Sequence, residues 1–128
     1  MIEIREIRGL TELRAVEVLQ KEVWGFEDIE VVPSYHMIPA IEVGAIVLGA
    51  FDGGTLVGFV YGFPGFEGAS RVIHSDMLAI RASYRDQGLG RKLKTAQRDR
   101  ARAMEHWSYV LGVLTSRATV AGNDVIGG

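Results

Sequence analysis

Between Val72 and Met104 the chain passes from an apolar run, Val-Ile-His-Ser-Asp-Met-Leu-Ala-Ile, through the polar turn Arg-Ala-Ser-Tyr-Arg-Asp-Gln-Gly-Leu-Gly into a basic segment. The run is rich in β-branched and long apolar residues and reads as a strand. In the basic segment Leu89, Leu93, Ala96, Ala103 and Met104 stand close to helical spacing. A strand that enters a helix through Gly88-Leu89-Gly90 leaves backbone N–H groups unused at the positive end of the helix dipole. Such an end suits a phosphate, and glycine lets a diphosphate close on the backbone because no Cβ stands in the way. The same turn is also compatible with a helix start that binds nothing. Two known phosphate loops are excluded. A dinucleotide fingerprint needs a third glycine where Leu93 stands, and a P-loop needs Gly-Lys-Ser/Thr where the chain has Gly90-Arg91-Lys92.

With 128 residues, 48% hydrophobic and 23% charged, the chain has the length and composition of one soluble globular domain, residues 1–128. A net charge of −2 argues against bulk nucleic-acid binding. No apolar run approaches the roughly 20 residues of a membrane span, and Met1-Ile2-Glu3-Ile4-Arg5 does not resemble a signal peptide. The chain has no cysteine, which excludes disulfides, thiolate catalysis and cysteine-based zinc sites; His36, His74 and His106 lack metal-ligand spacing. The expected compartment is the cytoplasm, with no membrane, nucleic-acid or metal partner.

Taken in order, Ile2, Ile4 and Ile7 alternate with Glu3, Arg5 and Glu6 as in a half-buried strand that Gly9 ends. Thr11 with Glu12 starts a helix with Leu13, Val16, Leu19 and Val23 on one face, and Trp24-Gly25 closes it. After an acidic loop from Phe26 to Val32, Pro33 begins a second helix with Tyr35, Met37, Ile38 and Ile41 on its buried side, ending near Gly44. Asp52-Gly53-Gly54 joins the apolar strands Ala45–Phe51 and Thr55–Phe63 as an antiparallel hairpin. Pro64 to Gly68 reads as a loop, and a strand from Val72 to Ile80 follows. The helix from about Gln87 to about His106 then crosses the sheet to a strand near Tyr109 to Leu114, parallel to the fourth. The order predicts an α/β (α+β) fold.

Arg85-Asp86-Gln87-Gly88-Leu89-Gly90 resembles the Arg/Gln-x-x-Gly-x-Gly/Ala pyrophosphate loop of the GNAT (Gcn5-related) N-acetyltransferases. The strand ending Met77-Leu78-Ala79-Ile80, the helix after the loop and the order of elements extend the resemblance over roughly Met1 to Met104. It implies an acyl-CoA N-acyltransferase-like fold: a mixed, mostly antiparallel sheet flanked by helices, lacking the last strands. It also implies acetyl-CoA as co-substrate. The pantetheine arm would pair with the backbone of Leu78, Ala79 and Ile80 in a gap between the fourth and fifth strands. The pyrophosphate would lie on the turn of Arg85, Gln87, Gly88, Leu89, Gly90 and Arg91. From Arg85 to Arg102 stand seven of the chain's 14 bases, of which Arg85 and Arg91 are selected as phosphate partners and the rest read as a solvated face.

Acetyl transfer requires a neutral amine and a donor for the developing oxyanion. His74 and Asp76 share a face of the fourth strand under strict alternation and are the candidate catalytic residues, although such a pair also occurs as a plain surface pair. Glu22, Glu30, Tyr35 and His36 are weaker candidates at the acceptor side. The tyrosine that family members supply after the fifth strand as general acid has no counterpart, since the last tyrosine is Tyr109. The leading expectation is an N-acetyltransferase acting on a small-molecule or peptide amine by direct attack. A non-catalytic acyl-CoA-binding or interaction module and an unrelated phosphate-binding domain are the alternatives. The apolar edge of the strand near Tyr109 to Leu114, with 115–128 as a disordered or exchanged tail, predicts a homodimer at that end.

Overall fold

The computed structural model describes residues 1–104 in full and the strand Trp107–Thr115 by its backbone. The elements are β1 (Ile2–Glu6), α1 (Gly9–Trp24), α2 (Ser34–Glu42), β2 (Ile46–Asp52), β3 (Thr55–Glu67), β4 (Ser70–Ile80), α3 (Leu89–Ala103) and β5 (Trp107–Thr115). They form a 5-stranded sheet in the order β1-β2-β3-β4-β5. Every neighbouring pair is antiparallel except β4 and β5, which run parallel on either side of the α3 crossover. The expected α/β fold with a mostly antiparallel sheet is therefore present.

Strands buried on both faces read as continuous apolar runs, and β2 is such a strand, with Ile46 to Phe51 all buried. One face carries Val47, Phe59, Tyr61, Met77 and Ala79 against Leu13, Val16 and Leu19 of α1 and Met37 of α2. The other carries Ile46, Val60, Ile73, Leu78 and Ile80 against Leu89, Leu93 and Ala101 of α3. Each fully buried Leu, Ile or Phe contributes about 1.5–3 kcal/mol, so these two layers hold the sheet between its helices. Arg5 ties β1 to α1 through two bonds to Glu12, at 2.9 and 2.7 Å, while its guanidinium lies 3.9 Å over the Phe51 ring. Gly49 marks the tightest point of the sheet. A Cβ there would fall 2.6 Å from Ile7 Cδ1, 2.7 Å from Leu56 Cδ1 and 2.8 Å from Phe51 Cε2. Gly49→Ala is expected to lower stability by about 1–3 kcal/mol in denaturant unfolding, the usual cost of overpacking.

Four expectations about element boundaries need correction. α1 begins at Gly9, two residues before Thr11, because Glu12 accepts the Arg8 N–H at 2.6 Å and closes the first turn there. The stretch from Pro64 to Glu67 is strand, paired with Ser70 to Ile73. β2 begins at Ile46, opposite Gly62, so Pro64 lies where one side of β3 meets no described strand and its missing N–H can face that side without removing a ladder bond. On α2 only Ser34 and Met37 are buried; Tyr35 is 75% exposed and Ile38 and Ile41 are 37% exposed. Ser34 donates both N–H and O–H to Glu17, and this anchor turns the Ser34–Met37 line toward α1. α3 ends at Ala103, before Met104 leaves helical geometry. The expectation of a disordered or exchanged tail over 115–128 falls almost wholly outside the described residues.

Candidate active site

The register of β4 breaks where the chemistry was expected. Tyr61 pairs with Met77, but the next residue, Gly62, pairs with Ser75, which leaves Asp76 as the extra residue of a β-bulge. Against β5 the same point is irregular, since Ser75 pairs with Leu111 and Met77 with Leu114. Leu78 pairs with Thr115, the last residue of β5, and beyond it the edges of Ala79 and Ile80 on that side meet no described strand. This is the stretch of β4 where a gap was expected. Leu78, Ala79 and Ile80 are themselves fully buried, so they offer a ligand backbone rather than side chains.

The bulge also changes which side chains meet. Paired residues share a face, and Phe63 pairs with His74 while Tyr61, two residues earlier on β3, pairs with Met77. His74 therefore projects on the α1–α2 side, its ring stacked on Phe63 at 5.1 Å and 13°. Asp76 joins them, close enough for its charge to act on both Tyr61 and His74. Burial pushes the Asp76 carboxyl above the usual carboxylate range, and His74 draws it partly back. Burial, aided by the Asp76 charge, pushes the Tyr61 phenol up, so it holds its proton at neutral pH. Tyr61 was not singled out from the sequence. The one available signal was a phenol in the middle of an apolar strand, where its O–H needs a partner.

At the other end of β4 a single 3₁₀ turn, Ala82–Tyr84, leads into the loop before α3. Asp86 and Gly88 both have positive φ, +64° and +77°, and Gly88 caps the helix. The helix ladder begins with the Lys92 N–H donating to the Gly88 C=O at 3.1 Å, so the N–H groups of Leu89, Gly90 and Arg91 lie outside it. A Cβ on Gly88 would meet nothing within 4 Å. The turn that forms this cradle of amides is exposed at Gly88 and Arg91, while Leu89 and Gly90 are buried at the start of the helix. Arg91 and Lys92 are exposed beside it, and Gln87 is exposed in the turn. Arg85 is partly committed, its Nε donating to the Ile80 C=O at 3.0 Å. Of the other bases on the helix, Arg98 pairs with Asp99, Arg100 with Glu6, and Lys94 lies beneath the sheet, while Arg102 is exposed in the last turn. Of the weaker acceptor-side candidates, Glu22 pairs with Arg81 and Glu30 caps the Glu27 N–H. Tyr35 and His36 are exposed on α2. A cavity of about 240 Å³ lined by Glu6, Ile41, Ile46, Arg100 and Met104, among others, shares no lining residue with the bulge or the cradle and is not part of this site.

Lys94 and Gln97 support the bulge from the α3 side. Lys94 Nζ donates to Ser75 Oγ at 2.6 Å, Ser75 Oγ donates to Gln97 Oε1 at 2.7 Å, and Gln97 Nε2 donates to the Ile46 C=O at 3.1 Å. Burial lowers the Lys94 ammonium from its ordinary 10.5 to about 8. The unfolded chain therefore binds more protons than the folded one between these values, and stability rises with pH across that window. At about 1.4 kcal/mol per tenfold the rise is about 3 kcal/mol. Unfolding midpoints in urea from pH 7 to pH 10.5 should show this rise, and Lys94→Met should flatten it.

A mostly antiparallel sheet interrupted at the fourth strand, with an amide cradle at the N-terminus of the crossover helix, defines the acyltransferase class. The chain belongs to the acetyltransferase (GNAT) family, whose model matches residues 7–120. No curated protein sequence matches it. Solved structures with the same fold include an aminoglycoside acetyltransferase from an uncultured soil metagenomic sample in complex with sisomicin. It is 18% identical, with a TM-score of 0.67 over 90% of this chain and 75% of that one. A ribosomal-protein-alanine N-acetyltransferase from Brucella melitensis biovar Abortus 2308 is 20% identical, with a TM-score of 0.64 over 89% and 78%. An aminoglycoside N-acetyltransferase in complex with CoA is 17% identical, with a TM-score of 0.65 over 85% and 76%. Among the described residues no helix is long and apolar enough to cross a membrane, and no cluster of side chains suits a metal.

Proposed function

We propose that the protein moves an acetyl group from acetyl-CoA to an amine by direct attack. The observation that carries this reading is the pairing, on one strand, of a bulge bearing Asp76 with an open amide cradle just past the strand's end. The Leu89, Gly90 and Arg91 amides hold the pyrophosphate, with Gly88 giving close approach and Arg91 adding charge; Gln87 and Arg85 border the turn. The backbone of Leu78, Ala79 and Ile80 guides the pantetheine arm toward the bulge. The amine nitrogen attacks the thioester carbon, the C–N bond forms as the C–S bond breaks, and coenzyme A leaves as its thiolate. The amine proton passes to Asp76 or His74, directly or through one water. Relatives named for aminoglycosides and for a protein alanine make amines the acceptor class that this reading adopts.

Calorimetry with acetyl-CoA, followed by thiol release over a panel of amines, tests the reading. Saturable binding with thiol release supports it. Binding without release for any amine would identify an acyl-CoA-binding module instead, and no binding would end both readings.

We also propose a homodimer through the outer edge of β5, the terminal strand of the sheet among the described residues. Its outer-edge N–H and C=O groups, which meet no other strand among the described residues, offer a second chain a place to pair. Sedimentation at micromolar concentration is expected to show a dimer that deletion of residues 115–128 weakens. A monomer at full length would refute it.

A further inference from the structure

Strict alternation fails along the middle of β4. Ile73 and Leu78 both lie in the core on the α3 side, yet an odd number of positions separates them, so the strand holds an extra residue in between. Met77, opposite Tyr61 in the core on the α1 side, confines that residue to the stretch from His74 to Asp76. Apolar packing goes no further. Asp76 makes no hydrogen bond among the described residues, and the Tyr61 hydroxyl and His74 Nδ1 beside it make none either, so among these residues no polar contact fixes the bulge from the α1 side. Ser75 is held differently. Its hydroxyl accepts from Lys94 and donates to Gln97, which continues to the Ile46 C=O, and all three side chains are buried between the sheet and α3. Gly62, opposite Ser75, leaves the space that Gln97 fills: a Cβ there would fall 2.6 Å from Gln97 Nε2 and 3.0 Å from Ile73 Cγ2.

We infer that Ser75, Lys94 and Gln97 are positioning residues for acetyl transfer: their anchor selects Asp76 as the bulged residue and so keeps its carboxyl beside His74. The inference rests on the acetyltransferase reading for the task of Asp76 and His74, and goes beyond it by naming what holds them in place. In the competing register Asp76 stands opposite Gly62, which turns its carboxyl to the α3 side and carries Ser75 out of line with Lys94 and Gln97. Each of those buried groups then loses a partner. Such a loss favours the anchored register by about tenfold to a hundredfold, enough to decide between two pairings that bury similar apolar surface. The anchor acts through the backbone, because Ser75 precedes Asp76 in the chain and fixes where the strand leaves its regular course.

The test follows the full-length chain, labelled with ¹⁵N and ¹³C, through its cross-strand nuclear Overhauser contacts, and measures acetyl transfer to an amine that the parent accepts. The parent is expected to show Gly62 opposite Ser75 and Tyr61 opposite Met77. In Ser75→Ala the contact of Gly62 should divide between positions 75 and 76, and kcat should fall about tenfold to a hundredfold while acetyl-CoA affinity stays within about twofold. Ser75→Thr, which keeps the hydroxyl, should keep both the register and the rate. Where Ser75→Ala does not fold, Lys94→Met takes its place; it retains the Ser75–Gln97 bond and should change the contacts in the same direction, with kcat lowered about threefold. A purely structural anchor would lower the melting temperature and leave the Gly62 contacts and kcat of a folded variant as in the parent. That result would overturn the inference, and so would a shifted register with the parent's kcat. A parent that binds acetyl-CoA but releases thiol with no amine would count against the acetyltransferase reading and the positioning role with it, whereas the Gly62 contacts would still decide whether the anchor selects the bulge.

Discussion

Asp76→Asn is expected to lower the rate of acetyl transfer by about a hundredfold to a thousandfold with acetyl-CoA affinity unchanged, the range typical of losing a positioned proton acceptor. The carboxyl must be ionised to take the amine proton, and burial raises its pKa above the ordinary carboxylate range. The acid limb of the parent's pH–rate profile should therefore lie above that range and should disappear in the asparagine variant. Stability is expected to move the opposite way. A group whose folded pKa is raised favours folding at low pH and loses that contribution as pH rises through the folded value. Above the folded pKa the parent bears the cost of a half-buried carboxylate that makes no hydrogen bond among the described residues, and there Asp76→Asn should melt higher. A variant that is slower yet more stable would mark Asp76 as functional. A variant that keeps the parent rate and profile, together with a His74→Ala variant that does the same, would place the base elsewhere.

Gly88→Val is expected to weaken acetyl-CoA binding by about a hundredfold to a thousandfold, about 3–4 kcal/mol, while the protein remains folded. The added Cβ would meet no protein atom within 4 Å, so the fold itself has room for it and a loss of binding would come from crowding at the turn. A β-branched residue at φ +77° adds backbone strain of about 1–2 kcal/mol or more, which calorimetric unfolding would register separately. Gly88→Ala carries the φ penalty with a smaller side chain and should fall between parent and valine. Unchanged affinity in a folded valine variant would remove the diphosphate from this turn.

The order of elements could be read from local pattern. Gly25 closes α1 in a left-handed conformation, Gly53 and Gly54 turn the β2–β3 hairpin with positive φ, and the parallel β5 follows α3 as a crossover requires. In each case a residue's own conformational preference decides the matter, and that preference travels with the sequence. The amide cradle was equally legible, because a glycine turn into a basic helix specifies backbone N–H direction without reference to the rest of the fold. The face of α2 was not legible: Tyr35, Ile38 and Ile41 look core-like by spacing, and only the Glu17–Ser34 anchor turns them outward. Lys94 read as one of five bases on a solvated face, yet α3 places it under the sheet on Ser75, a contact between residues 19 positions apart. The bulge at Asp76 depends on register between strands, which no single strand encodes. It leaves the shared side of His74 and Asp76 in place but brings in Tyr61 from β3. Sequence by itself therefore determined the elements, their order and the glycine turn into α3. Tertiary structure decided which polar groups became buried together without partners, because that depends on how separate strands align and how helices roll against them.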